Sequence, residues 1–118
     1  MWLYKINTGE LTHDGEFVGT GYSGAGIDRN NPDAVATHNM GPIPPGNWHL
    51  SSSYDDPHKG KNCFRLSPNE GTNVFGRSGF LIHGDNSTHT ASEGCIILGP
   101  SIRQEIASTF DRDLKVIP

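Results

Sequence analysis

Apolar and polar residues alternate in short runs along most of the chain, and Gly- and Asn-rich segments separate the runs. A period of two over four to eight residues is typical of half-buried β-strands. The pattern predicts a β-rich fold that opens with a hairpin or meander. The predicted strands lie, in chain order, at residues 2–7, 16–18, 48–52, 63–66, 79–83, 94–98 and 113–117.

A helical period is found only near the C-terminus. Gly99 and Pro100 are suited to a helix start, because proline is tolerated at the first helical position. Ile102, Ile106 and Phe110 follow at a spacing of four, which predicts one apolar helical face. Residues 27–40 and 53–62 are polar and aperiodic, and both are expected to be loops.

Composition agrees with a turn-rich β protein. The chain has 118 residues, 33% of them hydrophobic and 8% aromatic, with 15 glycines and 8 prolines. This length supports one core, so we expect a single domain over residues 1–118. No internal repeat or linker divides it.

Charge and hydropathy exclude several classes of partner. The net charge of −4 and the lack of a Lys/Arg stripe argue against nucleic-acid binding. No apolar run approaches the roughly 18 residues of a membrane span. Residues 1–6 lack the basic segment, apolar core and cleavage site of a signal peptide. We therefore expect synthesis in the cytoplasm, with export by another route if the protein acts outside the cell.

A histidine and a cysteine twelve residues apart form the strongest chemical pattern, His83-Gly84-Asp85 and Ser92-Glu93-Gly94-Cys95. A thiol attacks carbonyls as the thiolate, and a nearby imidazole makes the thiolate available. Each residue adjoins an apolar run, so two strands are expected to present them side by side under a Ser/Thr/Gly-rich loop. The carbonyl of Gly84 or the carboxylate of Asp85 would hold the imidazole, and backbone N–H groups around Gly94 would form an oxyanion hole.

Other interpretations of these residues remain open at this point. Cys95 can be a small buried apolar residue or can form a disulfide with Cys63, the other cysteine. The preferred hypothesis is a reactive Cys95 and a free Cys63 in the core. A zinc site at His83, Asp85, His89 and Cys95 has suitable ligand types, but the spacing matches no common zinc pattern, so no metal or cofactor is predicted.

Arg77 precedes the strand that ends at His83. A fixed guanidinium can bind a substrate carboxylate, and the alternative is a surface charge at a turn. An extended backbone would place it roughly 20 Å from His83, at a remote end of an elongated substrate.

These motifs resemble L,D-transpeptidase (YkuD-like) catalytic domains. The resemblance rests on a strand ending in His83-Gly84, a loop, Ser92-x-Gly94-Cys95 followed by aliphatic residues, and the Gly-Pro-Ile-Pro-Pro-Gly-Asn-Trp stretch at 41–48. It is closest to the small type VI secretion effector branch. Glu93 stands where the family usually has a histidine, and Ile97 where many members have Arg or Asn. The fold implied is a β-sandwich or open barrel with one short helix.

The resemblance also implies a function. Cys95 matches the nucleophile and His83 the general base, and Ser92 and Gly94 match the family's Ser-x-Gly-Cys element. The reasoning from the residues themselves adds Gly84 to the candidate catalytic set, and Arg77 and Asp85 to the candidate oxyanion and substrate residues. The implied substrate is the peptidoglycan stem tetrapeptide, with L,D-carboxypeptidase or D-amino-acid exchange activity. An antibacterial effector of this kind implies an immunity protein and a secretion carrier as partners, and action in the periplasm of a target bacterium.

Two rival functions follow from the same residues. The first is a cysteine amidase or protease of another fold that uses the same dyad. The second is a noncatalytic phage or secretion-associated β module.

Overall fold

Ten short strands and one helix make up the regular structure. The computed structural model describes all residues from 1 to 118. The strands are β1 (Trp2–Lys5), β2 (Glu10–His13), β3 (Glu16–Thr20), β4 (Tyr22–Ser23), β5 (Gly46–Leu50), β6 (Tyr54–Asp56), β7 (Gly60–Pro68), β8 (Leu81–His83), β9 (Ile96–Ile97) and β10 (Asp113–Ile117). The helix is α1 (Pro100–Ala107), and two 3₁₀ turns lie at Gly26–Asp28 and Pro32–Ala34.

The strands form one sheet that nearly closes into a barrel. Their order is β3-β2-β1-β10-β5-β7-β8-β9-β4, with β6 paired to β7. The two outermost strands, β3 and β4, are separated in the chain by Gly21 alone. A Cβ atom at Gly21 would lie 1.9 Å from the Ile97 carbonyl oxygen, so only glycine lets the chain pass this close to β9. The predicted fold, mainly β with one short helix, is confirmed.

Two pairs of strands run parallel, β1 with β10 and β8 with β9. In the second pair, Ile82 lies beside Ile96 and His83 beside Ile97. The β8 strand also pairs antiparallel with β7. The two strands nearest the candidate dyad are therefore both interior to the sheet.

Alternate side chains of the strands fill one core. Trp2 and Tyr4 from β1, and Trp48 and Leu50 from β5, are each at most 1% exposed. Trp48 packs edge-on against Phe80, with ring centroids 5.1 Å apart. This core packs directly against β8 and β9.

The helix starts where expected but ends earlier. Gly99 is the N-cap, Pro100 is the first helical residue and Ile106 is buried. Phe110, the third residue of the predicted apolar face, is fully exposed. That part of the prediction was wrong because the chain leaves the helix at Ala107, after which a spacing of four no longer marks one face. No helix of the protein has the length and hydrophobicity needed to cross a bilayer.

Some strand predictions also need correction. The strand β2 was missed because it has a single buried apolar residue, Leu11. The expected loop 53–62 contains β6 and the start of β7, whose residues there are largely polar. The predicted strands 79–83 and 94–98 are shorter, since Gly79 (φ 79°) and Gly94 (φ 135°) have conformations outside the β region.

Candidate active site

The register of β8 and β9 places His83 and Cys95 on the same face of the sheet. Ile82 and Ile96 are partners and both are buried in the core. His83 ends β8 and Cys95 comes directly before β9. Because successive side chains alternate between faces, both residues are placed on the face opposite to Ile82 and Ile96. Both residues line one cleft of about 450 Å³.

The loop between the two residues forms part of the cleft wall. Thr90, Ala91 and Glu93 contribute to it, together with Gly79 and Phe80 from the segment before β8. The sequence-predicted pair therefore meets in a cleft partly covered by its own connecting loop.

The environment of His83 leaves one ring nitrogen free. The side chain is buried, and Nδ1 lies 2.8 Å from the carbonyl oxygen of Gly84. A carbonyl only accepts, so Nδ1 carries the hydrogen and Nε2 keeps its lone pair. Burial lowers the pKa of the imidazole, the Gly84 carbonyl opposes this shift, and the charge of Lys59 adds to it. His83 is thus neutral near pH 7 and able to accept a proton.

Asp85 does not orient the imidazole. Its carboxylate accepts hydrogen bonds from the Tyr22 hydroxyl at 2.6 Å and from His89 Nδ1 at 2.7 Å. Of the two orienting groups considered from the sequence, the Gly84 carbonyl holds the ring, and the Asp85 alternative is wrong. Asp85 instead fixes the loop that follows His83.

Cys95 carries a free, half-buried thiol. Burial raises its pKa; the Leu81 N–H and the charge of Lys59 oppose that shift, whereas the charge of Glu93 adds to it. The resting group is therefore a neutral thiol that needs a base to become nucleophilic. Cys63 is also free and is fully buried, so the disulfide alternative does not describe this structure.

The Ser92 hydroxyl holds the turn that presents the thiol. Its Oγ accepts from the N–H groups of Gly24 (2.9 Å) and Gly94 (3.1 Å), and it donates to the Cys95 carbonyl at 2.7 Å. The Gly94 N–H is thereby engaged, which corrects the prediction that it is a free oxyanion donor. The Cys95 N–H has no acceptor within the protein and remains available for that role.

Arg77 lies beneath this turn. It is 7% exposed, and its guanidinium donates to the carbonyls of Val35, Gly41, Pro42 and Glu93 at 2.6–3.3 Å. A Cβ on Gly94 would lie 2.5 Å from Arg77 Nη2.

Both sequence-based interpretations of Arg77 need correction. It is not a surface charge, since it is buried, and it is not remote from the site, since the chain turns at Gly76 and Gly79 instead of running extended. Its donors are occupied by the chain itself. Arg77 thus joins the 35–42 segment to the turn that carries Cys95.

Comparison with known proteins identifies the family. A model of the Tlde1 domain matches residues 18–116. The chain belongs to the Tlde1 domain family. The resemblance to L,D-transpeptidases inferred from the motifs is confirmed. A search of curated proteins gave no match.

Solved structures share the fold of this Tlde1 domain. It is similar to an L,D-transpeptidase (Yku) from Stackebrandtia nassauensis, with 14% identity, a TM-score of 0.51, and coverage of 99% of this chain and 54% of the other. The Ldtfm–avibactam carbamoyl enzyme is 16% identical, with a TM-score of 0.55, and the match covers 99% of this chain and 48% of the other. The catalytic domain of an E. faecium L,D-transpeptidase is 16% identical, with a TM-score of 0.53, and the match covers 98% of this chain and 95% of the other. The chain thus spans about half the length of the first two proteins and nearly all of the third.

The Tlde1 domain has two site features that the sequence did not indicate. Tyr22 accepts a hydrogen bond from the Ala91 N–H as well as donating to Asp85, and Arg29 lies over its ring. Lys59, from the turn between β6 and β7, lines the cleft with His83 and Cys95. Neither follows a local motif, because each reaches the site from a distant part of the chain.

The zinc alternative does not fit the side-chain positions. Asp85 and His89 bind each other, and His83 uses Nδ1 for Gly84. Metal-ligand atoms come together instead at His13, Asp14 and Asp111, where the N-terminal ammonium contacts both carboxylates at 2.5–2.7 Å. The ligand atoms of His83, Asp85, His89 and Cys95 therefore do not form such a group.

Proposed function

We propose that this Tlde1 domain is a peptidoglycan-modifying cysteine enzyme that acts on stem tetrapeptides. The carrying observation is the placement of His83 at the end of β8 and of Cys95 directly before its parallel neighbour β9, in a shared cleft, within an L,D-transpeptidase-like fold. Cys95 Sγ lies 3.8 Å from the Gly79 carbonyl oxygen, in the same cleft as the imidazole. A neutral imidazole with a free Nε2 that shares a cleft with a neutral thiol is suited to general-base activation of the nucleophile.

In the first half of the proposed reaction, Cys95 Sγ attacks the carbonyl of the diamino acid at stem position three. His83 Nε2 takes the thiol proton, and the Cys95 N–H donates to the oxyanion. Collapse of the tetrahedral intermediate breaks the bond to D-Ala. The imidazolium returns its proton to the leaving amine, which gives a thioester and free D-Ala.

The second half resolves the thioester in one of two ways. Water, deprotonated by His83, hydrolyses it to the tripeptide, which is L,D-carboxypeptidase activity. A D-amino acid attacks through its amine to form a new peptide bond, which is exchange. Both regenerate the thiol, and both remove the donor that cross-linking requires.

We further propose that the enzyme is an antibacterial secreted effector that acts in the periplasm of a target cell. The family and the motif resemblance support this role, and an immunity protein and a secretion carrier would be its partners. The rival idea of an amidase or protease with an unrelated fold is set aside by the L,D-transpeptidase-like sheet.

Mass spectrometry of purified muropeptides tests the proposal. Incubation of disaccharide tetrapeptide with the enzyme should yield the tripeptide and D-Ala, and added D-Met should yield the Met-exchanged tetrapeptide. Release of the intact stem peptide would indicate an amidase instead. Absence of any product, with Cys95→Ala indistinguishable from wild type, would favour the noncatalytic module.

A further inference from the structure

Lys59 is the only lysine or arginine that lines the cleft containing His83 and Cys95. Its backbone is fixed close to the base: the Lys59 carbonyl accepts the Gly84 N–H at 2.8 Å, and the Lys59 N–H donates to Asp56 Oδ1 at 2.9 Å. Lys59 is thus hydrogen-bonded through its backbone to Gly84, the residue that follows His83.

The Lys59 ammonium forms no ion pair with the protein. Glu93, the carboxylate on the cleft wall, is exposed and has no cationic partner within 4.0 Å. Two other cations lie nearby, and both give donors to backbone carbonyls: Arg77 to four of them, and Arg103 to those of Lys61 and Leu98. Lys59 is therefore the one full positive charge in the cleft that is free to meet a ligand.

The charge of Lys59 also acts on both reacting groups. It lowers the pKa of the His83 imidazole and of the Cys95 thiol, so the ammonium lies within Coulombic reach of each. Since Lys59 lines the same cleft as His83 and Cys95, a carboxylate bound to it would be held in the cleft where the thiol attacks.

We infer that Lys59 binds the C-terminal carboxylate of the leaving D-amino acid and thereby restricts the enzyme to stem peptides with a free terminus. The inference rests on the proposed function and adds a specificity to it. In a tetrapeptide, that carboxylate is attached to the carbon that bears the leaving nitrogen, immediately beyond the scissile bond. In a cross-linked donor it is an amide and has no charge for Lys59 to meet. An incoming D-amino acid carries the same carboxylate, so the exchange reaction uses the same contact.

The test combines two enzymes with two substrates. Wild type and Lys59→Gln are assayed on the tetrapeptide and on its C-terminal amide. A charge-assisted hydrogen bond predicts that the amide lowers the wild-type kcat/KM by about tenfold or more. In Lys59→Gln, acid and amide should react at nearly equal rates, because only the acid loses a contact.

Lys61→Gln is the matched control, since Lys61 is exposed, two residues away and outside the cleft. It should discriminate between acid and amide as wild type does. A third peptide, amidated only at the carboxylate of the diamino acid, separates the two carboxylates of the substrate. If Lys59→Gln abolishes discrimination for this peptide and not for the C-terminal amide, the assignment to the leaving residue is overturned.

Binding measurements separate this inference from the proposed reaction. In the Cys95→Ala background, calorimetry should show tighter binding of the acid than of the C-terminal amide, and adding Lys59→Gln should remove the difference. Discrimination in binding without turnover by the wild type would reject the reaction and retain the Lys59 contact. Turnover with an unchanged acid-to-amide ratio in Lys59→Gln would reject the contact and retain the reaction.

Discussion

At the scale of single residues, burial sets the protonation of the dyad. The thiol of Cys95 has a raised pKa and the imidazole of His83 a lowered one, and desolvation is the largest cause in both cases. Burial disfavours the charged form of each group, so both pKa shifts favour the neutral thiol and the neutral imidazole. Both groups therefore rest in their neutral forms, as thiol and imidazole.

The two cysteines should therefore differ in their contributions. Cys95→Ala should lower turnover of the tetrapeptide by at least about a thousandfold, as loss of a nucleophile does. Cys63→Ala should retain turnover, because the Cys63 thiol is fully buried and its contacts are the carbonyls of Lys59 and Gly60. His83→Ala should cost about a hundredfold or more, as for a lost general base. Product formation followed by mass spectrometry is the measurement, and an active Cys95→Ala variant would reject the nucleophile assignment.

Thiol titration should reveal the effect of burial directly. In a Cys63→Ala background, the rate of iodoacetamide alkylation should be low at pH 7 and should rise with a midpoint above the ordinary thiol pKa of about 8.5. Glu93→Gln should move this midpoint to lower pH, since it removes a negative charge that disfavours the thiolate. Glu70→Gln, at an exposed turn, should leave it unchanged. A midpoint below about 8.5 in the parent protein would contradict a thiol whose pKa is raised by burial.

At the scale of elements, the turn before β9 is held from two sides. Ser92 closes it internally, and Arg77 attaches it to the 35–42 segment through backbone carbonyls. A guanidinium suits this task because its planar donors reach several acceptors at once, whereas a lysine ammonium is a compact point charge. The position of Cys95 thus depends on two residues, Ser92 and Arg77, whose hydrogen bonds are made within the chain.

Replacement of Arg77 should affect stability and activity together. Arg77→Ala should lower the free energy of unfolding by about 2 to 4 kcal/mol, since four carbonyls lose a charged donor. Arg77→Lys should fall between this variant and wild type. The exposed Lys115→Ala is the control and should change stability by less than about 0.5 kcal/mol. Urea unfolding gives the free energies of unfolding. An Arg77→Ala variant as stable as the control would show that the Arg77 hydrogen bonds contribute little to stability.

The sequence predicted that His83 and Cys95 lie near each other because both residues belong to local motifs beside strands, and the two residues do line one cleft. His83-Gly84 and Gly94-Cys95 combine an apolar run, a glycine and a reactive side chain, and such a pattern is readable without tertiary contacts. Arg77, Lys59 and Tyr22 were misjudged or missed because their partners are remote in the chain. The strands β2 and β6 were missed for another reason: both are largely polar, so the apolar period that marks a strand is weak there.

At the scale of the whole molecule, closure of the sheet depends on Gly21. The outermost strands β3 and β4 meet at this residue, and β4 pairs with β9 directly after Cys95. Cys95 therefore lies close to the seam of the barrel, where β3 and β4 meet. We expect a separation at the seam to displace the turn that carries Cys95, because β4 is paired with the strand that follows this turn.

Gly21→Ala should accordingly be destabilising. The added Cβ would lie 1.9 Å from the Ile97 carbonyl oxygen and 2.7 Å from a Leu98 methyl carbon, and backbone cannot give way cheaply. We expect a loss of about 2 kcal/mol or more, at the upper end for overpacking, with a parallel loss of turnover. Gly99→Ala is the control, since a Cβ added at Gly99 would meet no atom within 4 Å. Equal melting temperatures for the two variants would show that the strands at the seam can move apart to accept the added methyl group.

The parallel pairing of β8 and β9 has a consequence for substrate range. Parallel neighbours cannot be joined by a tight hairpin, so residues 84–95 must travel back along the sheet before β9 begins. That return path carries Thr90 and Ala91 along the cleft wall. Changes of length near residues 86–89 would thus alter the opening while both reacting residues keep their places in the sheet. For protein engineering, this segment is the natural position for a library of variable length, because the shape of the opening can be varied there while His83 and Cys95 stay unchanged.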